Sequence, residues 1–464
     1  MTATETPRGR TRPVPIAEER TFALDELFIS TTDAKGIVRS GNRVFSRVAA
    51  YAQDEMVGTN HNLIRHPDMP RAAFRLLWDW IGAGQPVAVY VKNLAKDGRF
   101  YWVMAVVAPV DGGYVSVRMK PTSPFFALAQ ELYGALLAVE REVENGNVRR
   151  RKDAIAASAE KLGELLADAG YPSYEAFMHA ALVAEVAARE AAMEGDRRRP
   201  GADAAQDPEL APLQEACARM HESLQSAIGL LDRVTRLGER LEQRARFAAE
   251  LAADIRLFSI NAQLAADRLG DRGSALQAVA GLMRARSQAA NPVIERVSAG
   301  LRDATGSLGD MGFGLAAGML QSEMLLVYLD ELAADSARRH DAADDLWALA
   351  QAGEVAVDRL FRTRAAAHDA LAAVAAHGEQ LAAELRAIRA LEVNGRIEAA
   401  HVSSSGDAAA LFATIAERVD GAHDQVRDFA AALSAAGLER LGAAADGLRR
   451  AADVRARVSA AVGD

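Results

Sequence analysis

The stretch HNLIRHPDMPRAAFRLLW, residues 61–78, sets His61, Arg65, His66 and Asp68 among two prolines just ahead of a helical pattern. Phe74, Leu77, Trp78 and Ile81 recur at i, i+3, i+4 and i+7, so they share one face of a helix whose first turn is set by Pro70. A helix with so much aromatic surface needs an apolar partner, and the chain supplies one directly downstream. VAVYVKNL, RFYWVMAVVAPV and YVSVRMKP are runs rich in β-branched and aromatic residues, joined by the turns AKDG and DGG, which predicts an antiparallel meander. Upstream, LFISTTDAKGIVRSGN holds two short strand-like runs around an Asp-Ala-Lys-Gly turn. NRVFSRVAAYAQDEMVG follows as a helical stretch ending at Gly58. Residues 21–123 therefore read as a small α+β domain after a disordered tail at 1–20.

The residues of the quoted stretch allow two accounts. Arg65 can grip a phosphate with two hydrogen bonds, while His66 and Asn93 can bond the edge of a ring held between apolar walls. Equally, Pro67 and Pro70 can stiffen a helix entry that Asp68 caps, with Arg65 paired to Asp68 and Phe74 and Trp78 as ordinary core.

The order of two strands, short helices and three strands resembles that of PAS sensor domains. More closely, STTDAKGIVRSGNRVF, NHNLIRHPDMPRAAFRLLW and VKNLAKDGRFYWV resemble the PAS domain of bacterial aerotaxis receptors. That resemblance implies non-covalently bound FAD, held by Asn42, Arg65, His66, Asp68, Phe74, Trp78, Asn93, Tyr101 and Trp102. Val87 follows Pro86 where the family usually carries tryptophan. Haem on His61 or His66, or an empty pocket, stay open as alternatives.

Past residue 124 the composition shifts to Ala, Leu, Arg and Glu, as in long helices. Residues 124–194 form a helical connector, broken at AGYPS (169–173), that carries the sensor's signal outward or, with the PAS domain, makes a homodimer. A linker covers 195–207, and 208–464 reads as an all-α, long antiparallel four-helix bundle of coiled-coil type. Its key is an internal repeat: IRLFSIN (255–261) and IRALEVN (388–394) each open a helical hairpin, with turns near 270–273 and 403–407. Pro292 and GDMGFG (309–314) are expected to interrupt the second long helix.

INAQLAADRLGDRGSALQAVAGLMR and VNGRIEAAHVSSSGDAAALFATIAERV resemble the signalling tip of methyl-accepting chemotaxis receptors. The resemblance implies contact with a chemotaxis histidine kinase, its coupling protein or other chemoreceptors. It assigns that contact to Asn261 and Arg268 in the first copy and to Asn394 and Glu398 in the second. Ala265 stands in place of the family's glutamate and His401 in place of its arginine.

Composition excludes several classes. No apolar run approaches the roughly 18 residues of a membrane span, and the N-terminus lacks a signal peptide's apolar core, so a cytoplasmic protein is expected. The single cysteine, Cys217, excludes an internal disulfide, and a net charge of -9 argues against nucleic acid as partner. P-loop, His-Glu-x-x-His and nucleophile-elbow patterns are missing, so catalysis is not expected. These readings converge on a cytoplasmic redox, oxygen or energy sensor in chemotaxis-type signalling. The rivals are a PAS protein docking a non-chemotaxis partner and a flavin-dependent enzyme.

Overall fold

The structure, a computed structural model, describes residues 13–193, 201–227, 274–335 and 342–401, with single positions elsewhere. Described residues within Met1–Gly229, Gly312–Leu360 and Ala444–Asp464 form one compact unit, and those within Leu230–Met311 and Phe361–Ala443 another.

In the first unit, β1 (Phe28–Asp33), β2 (Val38–Gly41), β3 (Val87–Leu94), β4 (Phe100–Val110) and β5 (Gly113–Met119) make one antiparallel sheet in the order β2-β1-β5-β4-β3. The long β3-β4-β5 meander is the one its turns predict. Between β2 and β3 lie α1 (Arg43–Ala49), α2 (Gln53–Met56), a 3-10 turn (His61–Ile64) and α3 (Arg71–Gly82). The single helix expected before Gly58 is thus two, because Ala50 turns left-handed at φ 58 and its N–H closes on the Arg47 carbonyl. Asp68 does not cap α3. The Ala72 N–H at its start instead donates to Glu140, at 3.0 Å, from α4 (Pro124–Glu144).

Strand alternation gives the sheet two different faces. One carries α1 to α3 over a core that includes Phe28, Phe45, Leu77, Ile81, Val91, Tyr101 and Val103. The other is covered by helices. Trp102 packs against Phe126 and Tyr133 of α4, with ring centroids 5.4 and 6.4 Å away. The Tyr90 hydroxyl donates to Glu185 (2.7 Å) of α6 (Tyr174–Met193), and the same carboxylate accepts from Ser123 N (2.9 Å), which locks the β5–α4 junction. α5 (Arg151–Asp168) packs beside α4.

After a helical run over 211–227, here α7, two long helices follow: α8 (Ser274–Ala334) and α9 (Ala343–His401). They pack as an antiparallel pair in each unit. In the first, Tyr328 donates to Asp345 (2.8 Å) and Gly314 lies against the Ala356 backbone. In the second, Arg286 pairs with Glu384, and Gly300 leaves room for Val374. The expected interruption of α8 does not occur. Pro292 sits inside the helix, flanked by buried Ala290, Val293, Ile294 and Val297, and every residue from Met311 to Leu320 is buried. From Met311 to Leu320 packing on all sides outweighs poor glycine propensity, while Pro292 is exposed and the buried neighbours on the helix's packed face carry it through one missing donor. α8 also contains a window long and apolar enough for a membrane span, contrary to the expectation from the sequence, but 94% of that window is buried inside the protein, as in a core helix. The remainder of the helix beginning near 208, the helix after 407, the seam around 251–269 and Arg268 lie outside the described residues, apart from single positions.

On the covered back of the sheet, α8 and α9 reach the strands. Asp345, in the first turn of α9, accepts from Thr31 (2.9 Å) on β1 and from Ser40 on β2. Burial raises its carboxyl above the usual aspartate value. Glu331, near the end of α8, accepts from Asn42 (3.0 Å). Arg189 of α6 meets Glu323 of α8 through two hydrogen bonds, both residues almost fully buried.

Candidate ligand cavity

Between α3 and the sheet the domain encloses a cavity of about 750 Å³, counting its open mouth. The four α3 residues spaced for one helix face, Phe74, Leu77, Trp78 and Ile81, all line it. Val91, Ala105 and Val107 form the opposite apolar wall. Trp78 and Tyr114 meet edge to face at the side, 5.8 Å between centroids. Gly36 comes so close there that a Cβ would stand 3.0 Å from the indole, and its φ of 75 needs glycine in any case.

The polar lining is concentrated on the strands and the 3-10 turn. Arg65 stacks its guanidinium on Phe74, 4.1 Å from the ring centroid, and donates to the Met69 carbonyl rather than pairing with Asp68. His61 and Arg118 share a hydrogen bond of 2.9 Å, and Arg118 also donates to Ser30 (3.0 Å). Burial first, and the Arg118 charge second, hold the His61 imidazole down at about 3, so it is neutral and accepts from the guanidinium through Nε2. Burial lowers Arg118 to about 10, which leaves it protonated at neutral pH. Among the described residues, three buried lining atoms have no hydrogen-bond partner: Asn93 Nδ2, Ser116 Oγ and Arg118 Nη1.

Of the nine residues expected to hold a cofactor, the structure brings four into this lining: Arg65, Phe74, Trp78 and Asn93. The other five stand elsewhere. Asn42 is fully buried and spent on the backbone, its Oδ1 accepting from Ile29 N and Phe45 N and its Nδ2 donating to Leu27 O and Glu331. His66 is buried under the loop and accepts from Asp68 N through Nδ1 (3.1 Å). Asp68 is half-exposed and pairs with Lys92 and Arg141. Tyr101 lies beneath the cavity in the core, where burial raises its phenol well above the ordinary value, and Trp102 faces α4. Residues that the sequence reading did not assign, Ser116, Arg118 and Tyr114, come from β5. The alternation Tyr-x-Ser-x-Arg in YVSVRM was the available signal for them.

The lining suits a flavin. Apolar and aromatic walls can take the faces of a ring system, Asn93, Ser116 and Arg118 can meet its electron-rich edge, and Arg65 can meet a phosphate. It suits haem less well, since the His61 lone pair that would ligate iron already accepts from Arg118.

Residues 40–120 match the PAS fold family. Over 146 residues the chain is 36% identical to the aerotaxis receptor of Escherichia coli (strain K12), an overlap of 30% of this chain and 29% of that receptor. It is 28% identical over 136 residues to the bacterioopsin transcriptional activator of Halobacterium salinarum, covering 27% of this chain and 20% of that protein. The chain thus spans less than a third of these relatives. Among solved structures, a light-oxygen-voltage domain studied with a flavin analogue is 22% identical and covers 23% of this chain and 82% of its own, with a TM-score of 0.20. The N-terminal domain matches the PAS fold and is related to that of an aerotaxis receptor, and the half that follows is mostly helical over its described residues.

Proposed function

We propose that this chain is a signal-transduction sensor whose PAS cavity binds a flavin, FAD by its relationship to the aerotaxis receptor, and whose helices carry the cofactor's state to a chemotaxis-type output. The observation that supports it most is the cavity, where aromatic and aliphatic walls converge on unpartnered buried donors. When bound, a flavin would supply a reversible electron-accepting ring whose charge changes with its redox state. The residues of this chain would hold it: Phe74, Leu77 and Val91 exclude water from the ring faces, Asn93 and Ser116 orient its edge, and Arg65 positions its phosphates. No catalytic step is assigned to the chain.

Output would pass through the back of the sheet, where Thr31 and Ser40 bind Asp345 and Asn42 binds Glu331, onto α8 and α9. A chemotaxis histidine kinase and its coupling protein, or chemoreceptors, are the proposed partners, reached through Asn261, Arg268, Asn394 and Glu398. Asn394 is exposed on α9, with Asn261 and Glu398 half-buried. The chain is proposed to act in the cytoplasm.

The test is the absorption spectrum of the purified chain, before and after incubation with FAD. Bound flavin is expected, released by Arg65→Ala without unfolding. A Soret band, or a protein still colourless after reconstitution, would overturn the reading. For the output, Glu398→Lys is expected to weaken capture of the kinase–coupling-protein complex, and undiminished capture would place the output elsewhere.

A further inference from the structure

The cavity is lined by two arginines and, among the described residues, by no carboxylate. Arg65 sits beside Phe74 at the end of the 3-10 turn, where water can share its hydration. Arg118 differs. It is 4% exposed and projects from the central strand β5 between β1 and β4. Its neighbours among the described residues are neutral: Ser30, the His61 imidazole and the Phe45 ring, 5.3 Å from the guanidinium. One Nη2 serves two acceptors while Nη1 has none. A buried cation with no counter-charge is costly to hold and is not needed for packing, since an apolar side chain of similar volume would fill the space more cheaply. Ser116 Oγ, two residues earlier on the same face, and Asn93 Nδ2 on β3 add two further unpartnered polar atoms to the same cavity lining.

We infer that Arg118, with Ser116 and Asn93, is the wall that recognises the electron-rich, hydrogen-bond-accepting edge of the ring bound here, and that Arg118 neutralises negative charge on that edge. The inference rests on the flavin reading and divides the work of the two arginines. Arg118 acts on the ring, common to every flavin, whereas Arg65 acts on the phosphates that only the nucleotide forms carry.

The division is testable with the full-length chain stripped of bound flavin and titrated separately with FAD and riboflavin, following flavin fluorescence. Arg118→Met is expected to weaken both ligands by the same factor, roughly 10- to 100-fold for loss of a charge-assisted hydrogen bond. Arg65→Ala is expected to weaken FAD by a similar factor while riboflavin binding stays near wild type. Thermal melts supply a second readout. Unliganded Arg118→Met loses a buried charge but also the donor to His61 and Ser30, so it should melt near unliganded wild type, yet gain less from saturating riboflavin. Arg118→Lys, which keeps the charge without the fork, is expected to fall between the two and serves if the Met variant does not fold. Riboflavin bound by Arg118→Met as tightly as by wild type would overturn the assignment and leave the flavin reading standing. So would a loss confined to FAD, which would put Arg118 at the phosphates. Wild type that binds neither ligand would overturn both.

Discussion

His61 is held neutral by burial and by the Arg118 charge beside it. An exposed imidazole titrates near 6.5 and the folded one at about 3, so between those values the unfolded chain takes up a proton that the native chain refuses. The stability this provides is complete above pH 6.5 and is lost as pH falls through the window. His61→Gln is expected to flatten that part of the stability curve relative to wild type, measured by urea unfolding at stepped pH. Asn42 makes a contrasting case. Its amide is saturated by four partners, including the Phe45 N–H that it caps at the start of α1 and a carboxylate of α8. Asn42→Ala should lower stability by about 1–3 kcal/mol with little change in flavin affinity. Asn42 and Arg118 together show what was legible. Family resemblance pointed to Asn42 as a ligand contact, and only coordinates reveal that its hydrogen bonds are already used. Arg118 could have been found by alternation from Tyr114, but nothing in the sequence says that no acid will face it.

At the scale of elements, α3 was the most legible piece, because spacing alone named the four side chains that line the cavity. Tyr101 and Trp102 were less so as a pair. Neighbours on a strand face opposite ways, and the alternation sends one to the core and the other to α4. The end of α1 was not legible at all, since Ala50 is a residue that rarely adopts positive φ. Its N–H closes on Arg47, so glycine should keep the turn and relieve its backbone strain. Ala50→Gly is expected to stabilise the domain by about 0.5–1 kcal/mol after the larger unfolded-state entropy of glycine is subtracted, read from the urea midpoint at constant slope. The interruption expected in α8 failed for a related reason: local propensity at Pro292 and the glycines was overridden by burial that the sequence does not display.

Across the whole molecule, the helices on the back of the sheet belong to the same compact unit as the cavity on its front. Cys217, fully buried in that unit, has its thiol pushed up to about 12 by burial. It should therefore resist a thiol reagent in native buffer and react across the unfolding transition, giving a monitor of global opening that needs no engineered cysteine.

The sheet between cavity and helices is a single layer, so the proposed ligand and output would share strands without sharing side chains. Along β1, Ser30 and Thr32 look into the cavity while Thr31 between them holds Asp345. In a randomly mutagenised gene, phenotypes along this strand should therefore alternate with every codon. Lesions at 30 and 32 should yield pale protein deaf to its stimulus, and lesions at 31 should yield fully coloured protein that perceives and stays silent.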